Sequence, residues 1–253
     1  MNRQFMPTIG GKSGTAYCGM FVLFFLAALF VSCREDLPLA GANPPSRIDL
    51  HFTPGDYFSF DNWQLDYYGR RIRSSSYRNS WTVADTGVSI RGEVNVTVMI
   101  DSTFDSTGQL ARLDSLFFRV DANGDLFQYG FLSSLIAERE SLSLAPQWDR
   151  IAAFSQPREQ SWVIARIDTG MGAPSNQTVV GKILSTQEYI GPVDVDGELR
   201  VILCYRIEIS KPNLDVILWL SDAPTSFPQM LDDSEILPNA QLRELKIVKP
   251  AHR

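Results

Sequence analysis

The chain has 253 residues, a net charge of −6 and an apolar fraction of 44%, enough for one large or two small globular domains. No basic stripe runs through it, which excludes the electrostatic footprint of a nucleic-acid partner. With two histidines and three cysteines at no ligand-like spacing, neither a metal centre nor a histidine-assisted nucleophile is indicated.

Residues 1–20 hold Arg3 and Lys12 and no acid, and residues 21–31 read FVLFFLAALFV. A cationic segment followed by 7–15 apolar residues is the pattern of a secretory leader, and a bilayer span needs roughly 20. The run ends Phe30-Val31-Ser32-Cys33, after which Arg34, Glu35 and Asp36 turn the chain polar. These four residues resemble a bacterial lipobox, although leucine is more usual where Phe30 stands. The resemblance implies that the Cys33 thiol takes a diacylglyceryl group, that the signal peptidase cuts between Ser32 and Cys33, and that residue 33 begins the mature protein. Loss of residues 1–32 removes Arg3 and Lys12 and no acid, so the charge moves from −6 to −8. Two or three acyl chains hold far more firmly than one, and Arg34, in place of a retaining aspartate, points to the outer membrane, facing the periplasm or the cell surface.

Residues 33–47 follow as a lipidated cysteine and a Pro-rich tether. Residues 48–249 read as a single β-rich domain, and 250–253 as a tail. Within EVNVTVMID, Val94, Val96, Val98 and Ile100 fall on one face, and Asn95, Thr97 and Met99 on the other. Within RVILCYRIEIS, Val201, Leu203, Tyr205, Ile207 and Ile209 share a face. Period two identifies strands. Further strands are predicted at 63–68, 81–84, 115–121, 126–131, 161–168, 179–189, 216–220 and 242–248. Turn signals stand at Asp85-Thr86-Gly87, Asn123-Gly124, Asp168-Thr169-Gly170 and Asp196-Gly197, and the Asn-Gly and Asp-Gly pairs suit type I′ hairpins. One helix is predicted at 132–144, ending before Pro146, with a shorter helical turn near 147–154. The fold class is mainly β: an antiparallel sheet curled into a sandwich or open barrel with one short helix.

Other motifs yield to plainer readings. GGKSG, residues 10–14, has Met6 where a phosphate loop needs glycine. DANGD, residues 121–125, and DVDGE, residues 194–198, lack the remaining ligands of a calcium loop and read as hairpins. Cys204, within an apolar strand, reads as a small buried hydrophobe. Asp232, Asp233 and Glu235 sit in a stretch read as a polar loop, and no catalytic residue is assigned. The aromatics Tyr57, Phe58, Phe60, Trp63, Tyr67, Tyr68, Trp81, Trp148, Trp162 and Trp219 either fill a core or line a cleft.

The stretches Tyr57–Ser59, Trp63–Tyr67, Asp121–Phe131, Ser161–Val163 and Leu242–Lys249 resemble a loose group of bacterial envelope lipoproteins of unknown function. That resemblance implies a fold and no activity. In strand content alone the chain is also similar to the half-barrel carriers that hold lipoprotein acyl chains. The expected function is a lipid-anchored envelope domain that binds or scaffolds, without cofactor, metal or nucleic acid, its partner being the membrane and an envelope protein or apolar ligand. The alternatives are a carrier or sensor of an apolar ligand in a curved-sheet cavity, and a carboxylate-dependent hydrolase. A filled interior would favour the scaffold, an empty apolar cavity the carrier, and two facing acids in a cleft the hydrolase.

Overall fold

The computed structural model describes residues 46–137, 144–168, 176–211, 214–233 and 240–251. Ser32 and Cys33, the GGKSG stretch, the Asp168-Thr169-Gly170 turn beyond Asp168, residues 138–143 of the predicted helix, Glu235 and His252 lie outside them. Residues 43–253 form one compact unit with a hydrophobic core of its own.

The described residues form twelve strands in one sheet and one short helix. In chain order these are β1 (Tyr57–Leu65), β2 (Arg71–Ile90), β3 (Glu93–Phe104), β4 (Leu110–Val120), β5 (Leu126–Tyr129), α1 (Phe131–Ala137), β6 (Trp148–Ala152), β7 (Ser161–Asp168), β8 (Asn176–Val195), β9 (Glu198–Lys211), β10 (Leu214–Leu220), β11 (Gln229–Asp233) and β12 (Gln241–Lys249). Their order across the sheet is β6-β5-β4-β3-β2-β1-β12-β11-β10-β9-β8-β7. Neighbours pair antiparallel, so most of the sheet is made of hairpins, while β1 and β12 join two meanders at the centre.

Two devices curl this sheet. The far end of β8 returns to β12 through a short parallel pairing, Ile247 opposite Asp194 and Val248 opposite Val195. Asp196 N–H extends that contact to the Val248 carbonyl at 2.9 Å. The sheet's two terminal strands, β6 and β7, are tied by a side chain: Trp162 Nε1 on β7 donates to the Arg150 carbonyl on β6 at 2.8 Å. Exposed edges invite pairing with other chains, and this bond occupies part of one.

The core is a knot of rings. Trp81 packs against Phe60 at 4.8 Å, Phe227 at 5.2 Å and Phe118 at 5.9 Å between centroids. Phe52 stacks on Phe227 at 5.9 Å. Phe60, Trp81, Trp162 and Trp219 are buried, whereas Tyr67 is 94% exposed at the β1–β2 turn. The aromatics therefore divide between core and surface.

Several predicted elements change. Residues 147–154 are not a helical turn: Trp148–Ala152 pair with β5 as strand β6, because tertiary pairing overrides a weak local preference. The stretch read as a polar loop contains β11, whose Asp232 is buried. Asp85-Thr86-Gly87 is no turn but a set of bulges inside the 20-residue β2, with Gly87 at φ +75°. The turn comes later, at Arg91-Gly92, where both residues take positive φ (55° and 83°) as type I′ requires. Asp196-Gly197 meets the same requirement (53° and 88°). At Asn123-Gly124 only Gly124 has positive φ, and the loop spans five residues closed by Asp121 N–H to the Asp125 carbonyl at 3.0 Å. The strand predicted to reach Phe131 stops at Tyr129, since Gly130 at φ +72° turns the chain into α1.

The shared face predicted for β9 divides. Tyr205, Ile207 and Ile209 are buried, but Val201 and Leu203 are exposed, because β8 and β9 slip register opposite Tyr205 and beyond that point the inward positions are Ile202 and Cys204. On β3, Val96 is buried, then Thr97 and Met99 are buried while Val98 and Ile100 are partly exposed. Asn95, at φ +57°, marks the irregularity where the alternation shifts. Cys204 is buried beside the Ile202 carbonyl at 3.4 Å. Burial, with a smaller contribution from the Glu188 charge, pushes its thiol up to about 12, far from the thiolate a nucleophile needs.

Candidate functional site

The curled sheet leaves a cavity of about 550 Å³ that opens to one side. Its apolar wall comes from β1 (Phe60), β2 (Trp81), β4 (Leu116), β6 (Ile151) and α1 (Phe131, Leu135). Leu218 and Leu220 of β10, Phe227 and Met230 complete it. Most of this wall is buried, while Leu116 and Met230 are half-buried. Polar residues line the cavity as well, among them the exposed Tyr77, Arg112 and Gln241, the half-buried Thr103, Asp114 and Arg243, and the buried Asp232. Thr103 and Arg112 face each other across β3 and β4, next to the turn joining those strands. The site is therefore amphipathic, its buried lining mostly apolar and its exposed lining polar. Its size falls within the range of small-molecule sites, roughly 300–1,000 Å³.

Across the sheet from β12 to β3 runs a chain of polar side chains. Arg243 Nε donates to Asn62 Oδ1 at 3.0 Å, Asn62 Nδ2 to Asn79 Oδ1 at 2.8 Å, and Asn79 Nδ2 to Asp101 Oδ1 at 3.0 Å. Asn62 and Asn79 are both buried, and buried amides persist where their partners are satisfied. The Arg243 guanidinium lies 5.4 Å from the Trp81 ring and 5.9 Å from the Phe60 ring, within cation–π range. These contacts fix the arginine against the apolar wall.

Acids also line the cavity. Asp101 and Asp114 are register partners on β3 and β4, an arrangement in which like charges repel. Each is engaged: Asp101 accepts from Asn79, and Asp114 pairs with Arg112. Of the acids noted in the sequence, Asp232 joins the cavity wall. Among the described residues no group of three or more His, Cys, Asp and Glu side chains is placed to hold a metal ion. In DANGD, Asp121 Oδ1 accepts from Asn123 N–H at 2.8 Å and Asp125 N–H at 3.0 Å. The buried Asp125 carboxylate is taken up by Arg150 and Ser155.

Helix α1 forms part of the cavity wall and is pinned from outside its own sequence. Asp149 Oδ2 on β6 accepts the Leu132 N–H at 2.8 Å, and its Oδ1 accepts from Gln147 Nε2 at 3.2 Å. Burial raises the Asp149 carboxyl above its ordinary value near 3.8, and the two hydrogen bonds oppose that rise. A carboxyl raised by folding favours the native state while protonated, and this stability fades as pH climbs from about 3.8 through the raised value. Asp149→Asn keeps an acceptor for Leu132 without the charge, so its urea midpoint relative to wild type should rise as pH climbs above about 3.8. Parallel curves would refute the assignment. Asp149→Ala orphans the helix N–H and should cost about 1–3 kcal/mol.

The aromatics, open between core and cleft by sequence, do both at Phe60 and Trp81, which are buried and line the cavity. Asn62, Asn79 and Arg243 carried no motif. The available signal was polar residues at inward positions of strands flanked by aromatics, at Asn62 between Phe60 and Trp63 and at Asn79 before Trp81.

No family model matches the chain, and no curated protein matches it. Among solved structures it is similar to an inferred lipoprotein of Parabacteroides distasonis, at 10% identity and a TM-score of 0.46, over 82% of this chain and all of that one. It is also similar to an inferred exported protein of Bacteroides fragilis with a YmcC-like fold, at 8% identity and a TM-score of 0.41, over 83% of this chain and all of that one.

Proposed function

We propose that this chain is a lipid-anchored carrier or sensor of the bacterial cell envelope that holds one amphipathic molecule inside its curled sheet. Cys33 bears the acyl chains, residues 34–47 form the tether, and the outer membrane is the destination. The observation that carries the binding role is the open cavity of about 550 Å³, lined by both apolar and polar side chains. A scaffold has no use for such a space, and filling it with side chains would stabilise the fold. The facing acids Asp101 and Asp114 do not favour a hydrolase, because both are already committed to neighbours.

The test has two arms. In cells fed an alkyne fatty acid, the wild type should take up label and Cys33→Ser should not; equal labelling would remove the anchor. Separately, residues 34–253, purified without detergent, should show a bound amphiphile by native mass spectrometry and should brighten the neutral probe N-phenyl-1-naphthylamine. Leu116→Trp and Met230→Trp, which push an indole into the cavity from half-buried positions, should lower probe affinity at least tenfold while the fold survives. A wild-type domain that binds neither native amphiphile nor probe would overturn the carrier reading.

A further inference from the structure

The geometry points to Arg243 as the residue that recognises the ligand's head, and to a ligand that is a single-chain amphiphile with an anionic head, a carboxylate or a phosphate. This inference rests on the carrier reading and narrows it. Three observations carry it. First, Arg243 lines the cavity beside two rings of its apolar wall, Phe60 and Trp81. Second, its Nε is spent on Asn62, and among the described residues its two terminal nitrogens form no ion pair. Third, Asn62 and the Trp81 and Phe60 rings hold the guanidinium plane in place.

A fixed arginine presents two parallel N–H groups that match a carboxylate or phosphate edge. Such a fork, left without an acid next to an apolar space, suits an anion whose tail enters that space. The other arginine of the lining, Arg112, is paired with Asp114, so Arg243 is the stronger candidate. Three acids share this wall: Asp114 is paired with Arg112, Asp101 accepts from Asn79, and Asp232 is buried, so an anionic head fits only where Arg243 meets it directly. Asn62 acts through Arg243 as a positioning residue. Its own amide donates to Asn79, so its oxygen is turned toward the guanidinium.

Displacement of N-phenyl-1-naphthylamine from residues 34–253 tests this with four C18 amphiphiles below their micelle concentrations: oleate, oleyl phosphate, methyl oleate and oleylamine. Residues 43–253 form one compact unit with its own core, so the soluble domain is a fair subject. The wild type should bind at least one of the two anions about tenfold or more tightly than methyl oleate, and the stronger of them tells carboxylate from phosphate. Arg243→Gln should erase that advantage while methyl oleate affinity stays within about twofold. Arg243→Lys, a point charge without the fork, should recover part of it, and Asn62→Ala should lose part of it without touching methyl oleate. Equal wild-type affinity for methyl oleate and both anions overturns the head-group assignment and leaves the carrier reading standing. Preference for oleylamine overturns it too, assigning the head to the acids. If none of the four displaces a probe that binds, the head-group assignment falls; if neither native amphiphile nor probe binds, the carrier reading falls with it.

Discussion

Gly181→Ala should unseat the strand that closes the sheet and cost about 3 kcal/mol or more. Gly181 lies on β8 directly opposite Trp162 on β7. A Cβ built at Gly181 would sit 2.3 Å from Trp162 Cζ2 and 2.4 Å from Cε2, inside the volume of the indole. The ring lies across the bare backbone of the glycine and from there reaches Arg150 with its N–H. Glycine in a strand is weakening in itself, by roughly 0.5–1 kcal/mol relative to alanine. It is tolerated here because the ring fills the place a side chain would take. Any side chain at 181 must displace the indole, and the loss then approaches that of truncating a buried tryptophan, about 3–5 kcal/mol. The Arg150 carbonyl would also lose its donor. A double-mutant cycle separates this from a general strand effect. In a Trp162→Ala background, Gly181→Ala should be neutral or slightly stabilising, a coupling of several kcal/mol by urea denaturation. Additive costs would show that the ring does not depend on the glycine.

That closure was invisible in the sequence, and the reason is physical. Period-two alternation finds a strand and says which residues share a face, so the Ser161–Asp168 strand and the cores of β3, β9 and β12 could be read directly. Alternation does not say which face is inside when the inside is itself partly polar. On β3, the aliphatic run Val98 and Ile100 looks like the buried side, yet Met99 is fully buried and Asp101 and Thr103 on its side line the cavity. On β2, Asn79 and Trp81 turn inward together. A cavity with a partly polar lining inverts the pattern that a dry core would show. The strand β11 was missed for a related reason: Gln229, Asp232 and Asp233 read as loop, although Asp232 points to the buried side. Strand β6 is hard to see locally because Asp149 and Arg150 break its apolar character. Both are consumed in contacts with residues far along the chain, Leu132 and Asp125, which no local window contains.

The two ends of the DANGD motif should behave very differently on truncation, despite lying four residues apart. Asp121 is part of an exposed turn, its Oδ1 accepting the N–H groups of Asn123 and Asp125. Such a bond contributes about 1 kcal/mol, and Asp121→Ala should lose no more than that. Asp125 is 2% exposed. Its Oδ1 accepts Ser155 N–H at 2.8 Å, and its Oδ2 accepts Ser155 Oγ at 2.9 Å and pairs with the Arg150 guanidinium. Through these bonds the β4–β5 turn holds the chain leaving β6, the strand whose other side meets Trp162. Asp125→Ala leaves a largely buried guanidinium without its counter-charge, a change that costs about 3–5 kcal/mol in buried pairs. Arg150 retains some solvent access, which places the expectation near the lower bound. Asp125→Asn keeps an acceptor for Ser155 and removes the charge, so it should fall between the two alanine variants. Replacing both Asp125 and Arg150 with apolar residues should recover part of the loss, since the desolvation cost of the pair disappears with it. Urea denaturation of the four variants checks the order. If Asp121→Ala proves as costly as Asp125→Ala, the motif acts as a local turn alone, and the tie between the turn and the closing strands is absent.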